Sequence, residues 1–155
     1  MTAEQKQEFT RRISMSNRTG LIVILLEMLQ CYLQDAADAG EPEEFKDAIR
    51  KAQQVLRRLE DDLNFKYELS VQLMQLYLFS QRELALAMAR RSKEIIQSVQ
   101  RIIQPLLEAF TEVAKKDNSP VLMTNTQQVY VGMTYHKGVL SENIGADQPG
   151  RGYYA

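Results

Sequence analysis

Residues able to do acid–base, nucleophilic or metal chemistry are scarce in this chain. The sequence holds 1 histidine, His136, and 1 cysteine, Cys31, and they lie far apart. A hydrolytic triad or a histidine-ligated zinc needs several such groups in fixed geometry. A di-iron site in a helical bundle needs Glu-x-x-His pairs, and the sequence has none. We therefore predict that the protein is not an enzyme and takes no metal or other cofactor.

The recurrent feature is instead apolar side chains at helical spacing, and it predicts four amphipathic helices. The first begins near residues 16–19 and has a core stripe of Ile22, Leu25, Leu29, Tyr32 and Ala36. The second follows Gly40 and Pro42, and its apolar face comprises Phe45, Ala48, Ile49, Ala52, Val55, Leu56, Leu59 and Leu63. We expect Asn64 to end this helix in a left-handed conformation.

The third and fourth helices are predicted over residues 67–90 and from Ser92 onward. The core stripe of the third comprises Leu69, Leu73, Leu76, Ser80, Leu84 and Ala87. That of the fourth comprises Ile95, Val99, Ile102, Leu106, Phe110 and Val113. No Gly or Pro marks the break between them, so one helix over residues 67–116 is an alternative. Pro105 should kink the last helix.

Three of these helices carry a second apolar stripe, which a four-helix bundle does not ordinarily need. The additional stripes are Leu21, Ile24, Met28 and Cys31 in the first helix, Val71, Met74, Leu78, Ala85 and Met88 in the third, and Ile96, Ile103, Leu107 and Ala114 in the fourth. Three interpretations remain open: cover by the chain itself, grooves for partner helices, or homodimerisation. Methionine suits surfaces that accept varied helices.

The fold class follows as all-α, an antiparallel up-down four-helix bundle with an N-terminal arm and an irregular C-terminal tail. We divide the chain into an arm (1–15), a bundle (16–117) and a tail (118–155). The arm is either a short helix or a loose segment. Within the tail, residues 129–135 have strand-like composition.

Charge and hydropathy exclude other classes of protein. The net charge of −1 argues against nucleic-acid binding through the arginine pairs. The longest apolar run, residues 21–26, is far shorter than the roughly 20 residues of a membrane span, and the start lacks the pattern of a secretory signal. We therefore expect no membrane insertion, and a single cysteine fits a reducing cytoplasm.

The residues from 9 to 117 resemble the FliS family of flagellar export chaperones. The sequence similarity is strongest at Lys51-Ala-Gln53, Leu59, Leu63-Asn64, Leu73, Leu76-Tyr77, Arg82-Glu-Leu84 and Ala87. Phe9 takes the place of the family's N-terminal tyrosine, and Leu26-Glu27 replaces its usual Tyr-Asp. The Pro-x-Glu that normally caps the first helix is missing.

The resemblance implies a cytosolic bacterial chaperone that binds the disordered C-terminal segment of flagellin, prevents premature polymerisation and delivers it to the flagellar export gate. It also implies an N-terminal segment that covers part of the groove and is displaced by the client. The alternative is a dimeric helical adaptor with no export client, and a weak homodimer is compatible with either. A diverged relative with another client also remains open.

From helical spacing we predict that the client peptide contacts Leu21, Ile24, Met28, Val71, Met74, Leu78 and Met88. The predicted displaceable arm residues are Phe9, Ile13 and Met15. Residues 129–135 either dock on the bundle in competition with the client or belong to a flexible extension.

Overall fold

A computed structural model of the chain describes residues 1–123, and within that range the regular elements are five helices. They are α1 (Ala3–Ser14), α2 (Arg18–Asp38), α3 (Pro42–Asp61), α4 (Glu68–Arg90) and α5 (Lys93–Lys116). The predicted all-α class is confirmed for this part of the chain. The strand-like residues 129–135, His136 and most of the predicted tail lie outside the described residues.

Helices α2 to α5 enclose one apolar core. α2 contacts α3 and α5, and α4 contacts the same two helices, so the four form a closed ring of neighbours. α1 contacts α2. Large, fully buried side chains come from all four ring helices: Leu26, Leu29 and Leu33, Ile49 and Leu56, Tyr77 and Leu84, Ile96, Val99 and Ile103.

Side-chain hydrogen bonds fix several of the helix ends. The side chain of Thr2 accepts from the backbone N–H of Gln5, and the side chain of Gln5 accepts from Thr2, which together make a capping box at the start of α1. The arm is thus a helix for most of its length. Asn17 caps α2 by accepting from the N–H of Gly20 at 2.8 Å, within the start predicted near residues 16–19.

The break between α4 and α5 lies at Arg91 and Ser92. Arg91 adopts the left-handed conformation (φ 53°, ψ 42°) and closes α4. Ser92 then caps α5 by accepting from the N–H of Ile95 at 3.3 Å. The alternative of one helix over residues 67–116 is therefore wrong. α5 remains helical through Pro105.

Several predictions about individual residues were also wrong. Asn64 is not left-handed; it shapes the α3–α4 link through its side chain, which accepts from the N–H of Lys66 at 3.1 Å. Leu69 and Val113 were assigned to the core but are 55% and 53% exposed. Ile96 and Ile103, assigned to the outer stripe of the last helix, are fully buried, because α5 turns that side toward its neighbours.

α2 is long and apolar enough to cross a membrane by length and composition. A core helix of a soluble bundle meets the same criteria, and α2 contributes Leu25, Leu26, Leu29, Leu33 and Ala36 to the core. Its apolar composition is therefore accounted for by packing within the bundle.

Tyr77 is a core side chain with a polar hydroxyl, and it is almost wholly removed from water (1% exposed). Burial raises the pKa of Tyr77 from 10.0 to about 12. A tyrosine in the unfolded chain ionises near pH 10, whereas Tyr77 stays neutral in the folded chain. Its contribution to stability is thus complete below pH 10 and is lost as the pH rises through 12.

We expect Tyr77→Phe to reduce the loss of stability between pH 10 and 12 by about 3 kcal/mol. Urea denaturation at several pH values measures this slope. Tyr67→Phe, at a tyrosine that is 67% exposed, is the matched control. Equal slopes for both variants would show that Tyr77 ionises freely in the folded protein.

Candidate functional site

The outer surface of α4 carries a row of apolar side chains that the described residues leave uncovered. Tyr67, Val71 and Leu78 are 67%, 48% and 46% exposed, and Met74 is half-buried. Val71, Met74 and Leu78 are spaced by three and four residues, which places them on one side of the helix. Tyr67 is the N-cap residue immediately before the helix. We call these four residues the α4 ridge.

Three of the α4 ridge residues were predicted from the sequence, and Tyr67 was missed. The signal was present, because residue 67 extends the same spacing one turn toward the N-terminus, but it had been read only as the start of the helix. Phe79, beside Leu78, is 37% exposed and was also missed. Met88 lies farther along α4, is half-buried and packs against the core, so the structure does not place it on the ridge.

The stripe predicted on α2 has a different environment. Ile24 is 4% exposed, and Leu21 and Met28 are half-buried against the core. Glu27 and Asp35 lie on the same side of α2 as Ile24, three and eleven residues farther on. Both contact the N-terminal segment: Arg12 of α1 donates to Glu27 at 2.5 Å, and the amino group of Met1, which precedes α1, contacts Asp35. The chain's own N-terminal segment therefore lies along the side of α2 that carries Ile24.

α1 is held to the bundle by fewer buried residues than the other helices. Phe9 is its one buried residue, with the guanidinium of Arg12 stacked 5.7 Å from the ring centre. Phe9, Val23 and Ile24 are buried outside the main core cluster. Ile13 is half-buried, and Met15 is 54% exposed. A helix with so little buried apolar surface is expected to open locally at a lower free energy than the bundle.

Phe9→Ala should detach α1 while leaving the bundle folded, because it removes the main apolar anchor of that helix. We expect amide hydrogen exchange in residues 3–14 to accelerate tenfold or more, since truncating a buried phenylalanine costs about 3 kcal/mol or more. Thr10→Ala, an exposed change on the same helix, is the control. Equal acceleration in α3 and α4 would instead mean that α1 is part of the cooperative core.

A cavity of about 580 Å³ lies between α2 and α5, away from the α4 ridge. It is lined chiefly by glutamines, and Gln30 donates to the backbone carbonyl of Gln100 at 3.0 Å across the seam. Cys31 also lines it, and burial raises the pKa of its thiol, which makes it a weak nucleophile at neutral pH. None of the predicted client-contact residues lines this cavity.

Within residues 1–123 no cluster of three or more His, Cys, Asp or Glu side chains could hold a metal ion. The apolar side chains of α4 and α2 are a separate feature of this surface. The α4 ridge is open, and the α2 stripe lies beneath a helix with a single buried anchor. Rows of apolar anchors three and four residues apart match the contact pattern of a partner helix.

Comparison with known proteins decides the family. A family model described as flagellar protein FliS matches residues 1–117, which is most of the chain and all five helices. The chain belongs to the FliS family. The resemblance drawn from the sequence is thus confirmed, and by its family this protein is a flagellar export chaperone. No curated protein sequence matches the chain.

FliS membership agrees with an all-helical structure in the described part of the chain. FliS proteins are soluble cytoplasmic chaperones that bind flagellin and interact with the export machinery, and they are not known as enzymes. The family match covers α1 as well as α2 to α5, so α1 is part of the FliS region.

Proposed function

We propose that this FliS protein binds the disordered C-terminal segment of flagellin along the α4 ridge, where the segment folds into a helix. The bound segment is then unavailable for polymerisation, and the chaperone delivers it to the flagellar export gate. The single observation that carries this proposal is the α4 ridge itself. Its exposed apolar residues are heptad-spaced and have no cover among the described residues.

The chemistry of the ridge suits such a client. A segment that folds on binding gives up a few kcal/mol in ordering, so it binds reversibly over a large surface. Met74 adds a flexible, polarisable contact that adapts to different helical partners. Reversible binding is what a secretion chaperone requires, because the client must leave at the export gate.

The α2 stripe is the second part of the proposed surface. When α1 opens, Leu21, Ile24 and Met28 become available to a second helical stretch of the client, and Phe9, Ile13 and Met15 leave with α1. The proposal is supported by the single buried residue of α1 and by its solvent-accessible ion pair between Arg12 and Glu27. Opening α1 therefore costs little compared with opening the core.

For the bundle we propose the antiparallel up-down arrangement. Its support is the closed ring of contacts among α2 to α5 together with the short links between them. One contact joins the start of α2 to the end of α3, where the guanidinium of Arg18 donates to the carbonyl of Asp62 at 2.9 Å. This arrangement leaves the outer side of α4 free for a partner, and we place the protein in the bacterial cytosol.

The proposal is tested by calorimetry of the full chain with full-length flagellin and with flagellin that lacks its C-terminal segment. We expect 1:1 binding to the first and none to the second. Equal binding to both would move the client contact elsewhere on flagellin and contradict the proposal.

The exposed ridge is also the feature that would favour a dimeric adaptor, since two copies could pair through it. Light scattering at micromolar concentration distinguishes the two functions. A monomer that binds the flagellin segment supports the chaperone, and a dimer that excludes the segment supports the adaptor.

A further inference from the structure

A short segment after α5 lies against the turn from which α1 would have to open. We call residues 117–122 the strap. The backbone N–H of Leu122 donates to the carbonyl of Ser16 at 2.9 Å. Ser16 is 8% exposed and lies between the last residue of α1 and the N-cap of α2. The strap therefore contacts the turn that joins α1 to α2, about which α1 would rotate on opening.

The base of the strap is fixed to the first turn of α2. The hydroxyl of Thr19 donates to the Asp117 carboxylate at 2.5 Å, and the side-chain amide of Asn17 donates to the Asp117 carbonyl at 3.2 Å. The N–H of Ser119 donates to the other carboxylate oxygen of Asp117 at 2.9 Å. The pKa of Asp117 is lowered by a hydrogen bond with the Ser119 side chain, then by that from Thr19, and then by that from the Ser119 N–H. The carboxylate is thus charged at neutral pH.

The turn at residues 15–17 is also hydrogen-bonded to the end of α1. Within it, the hydroxyl of Ser16 donates to the carbonyl of Ile13 at 2.9 Å, and its N–H donates to the same carbonyl at 3.2 Å. Swinging α1 away from α2 requires rotation of the backbone at residues 15–17, which would turn the Ser16 carbonyl away from Leu122. The hydrogen bond between them opposes that rotation.

We propose that the strap is a latch on α1: by holding the Ser16 carbonyl it sets how often α1 opens and uncovers the α2 stripe. α1 and the strap are separated by about 100 residues in sequence, yet meet at one turn. Opening of α1 is therefore coupled to the state of the chain just after α5. The consequence for the client rests on the proposed function, whereas the latch itself does not.

Hydrogen exchange of the full chain, without any client, tests the latch. Leu122→Pro removes the N–H that donates to Ser16, and Leu122→Ala is the matched control, because it keeps that N–H. We expect exchange in residues 3–14 to accelerate about fivefold in Leu122→Pro alone, as one net hydrogen bond implies. Unchanged exchange in α1, or the same acceleration in α3 and α4, would overturn the proposal.

A second pair of variants tests the base of the strap without inserting a proline. Thr19→Val removes the hydroxyl that donates to Asp117, and Thr19→Ser keeps it. Faster exchange in α1 for Thr19→Val but not for Thr19→Ser supports the latch. If neither variant changes α1 exchange, the base of the strap does not control the turn, and the proposal is wrong.

Calorimetry with the flagellin C-terminal segment then separates the latch from the proposed function. If α1 opens more often in Leu122→Pro and the affinity rises by a similar factor, the latch controls access to a client site. If α1 opens more often but the affinity is unchanged, the latch stands, and the α2 stripe is not part of the client surface.

Discussion

Leu78→Asp is expected to weaken binding of the flagellin C-terminal segment about a hundredfold, as loss of a central apolar anchor does at helical interfaces. Leu78 is 46% exposed, so a carboxylate at this position remains hydrated in the free protein and does not disturb the core. In the complex the same carboxylate would be buried without a partner, which is strongly unfavourable. Calorimetry gives the affinity, and far-UV circular dichroism should show unchanged helicity.

Val113→Asp is the matched control for this substitution. Val113 is an apolar side chain of α5 that is 53% exposed, and it lies outside the α4 ridge. We expect it to change the affinity less than twofold, as a surface change away from the interface ordinarily does. If the two aspartates weaken binding equally, the effect is one of general charge, and the ridge is not the binding surface.

Leu29→Ala is expected to lower the free energy of unfolding by about 3 kcal/mol and the melting temperature by about 10 °C. Leu29 is fully buried in the core cluster of α2 to α5, so its truncation leaves a cavity that rigid helices cannot fill. Guanidinium denaturation measures the loss.

Val71→Ala is the comparison for Leu29→Ala, because it removes apolar atoms from the exposed ridge. We expect a loss of unfolding free energy below about 0.5 kcal/mol, together with weaker client binding. The pair separates residues that stabilise the fold from residues that serve the client. A large loss of stability in Val71→Ala would place the ridge in the core instead.

Where one side of a helix is charged and the other apolar, the sequence alone was sufficient to predict the packing. In α3, Phe45, Ala52, Leu56 and Leu59 were predicted to form the apolar side, and all are buried. The start of α2 was predicted near residues 16–19, and the structure places its cap at Asn17. Helical spacing succeeds here because the apolar residues lie on one side of the helix and the charged residues on the other, so only one side can face the core.

Packing could not be predicted from the sequence where both sides of a helix are apolar. In α5, Ile95 and Ile102 compete with Ile96 and Ile103 for the core, and periodicity gives no preference between them. The structure buries the second pair, which depends on how α5 is rotated against α2 and α4. Arg91 was missed because a left-handed helix end is usually glycine or asparagine.

The client-contact residues of the candidate site were also difficult to predict from helical spacing. The second stripes of α2 and α4 look alike in sequence, and both were predicted to contact the client. Only the structure distinguishes them: α1 covers Ile24, and the described residues leave Val71 and Leu78 open. The capping box of Thr2 and Gln5 was readable in the sequence and would have indicated that the arm is a helix.

The most direct test of the central claim is a methyl NMR titration of the full chain with the isolated flagellin C-terminal segment. We expect the methyl signals of Met74 and Leu78 to shift to saturation at a 1:1 ratio. The signals of Leu29, which is in the core, and of Val113, which is exposed on α5, should stay in place. Saturable binding with no shift at Met74 or Leu78 would show that the client binds elsewhere than the α4 ridge.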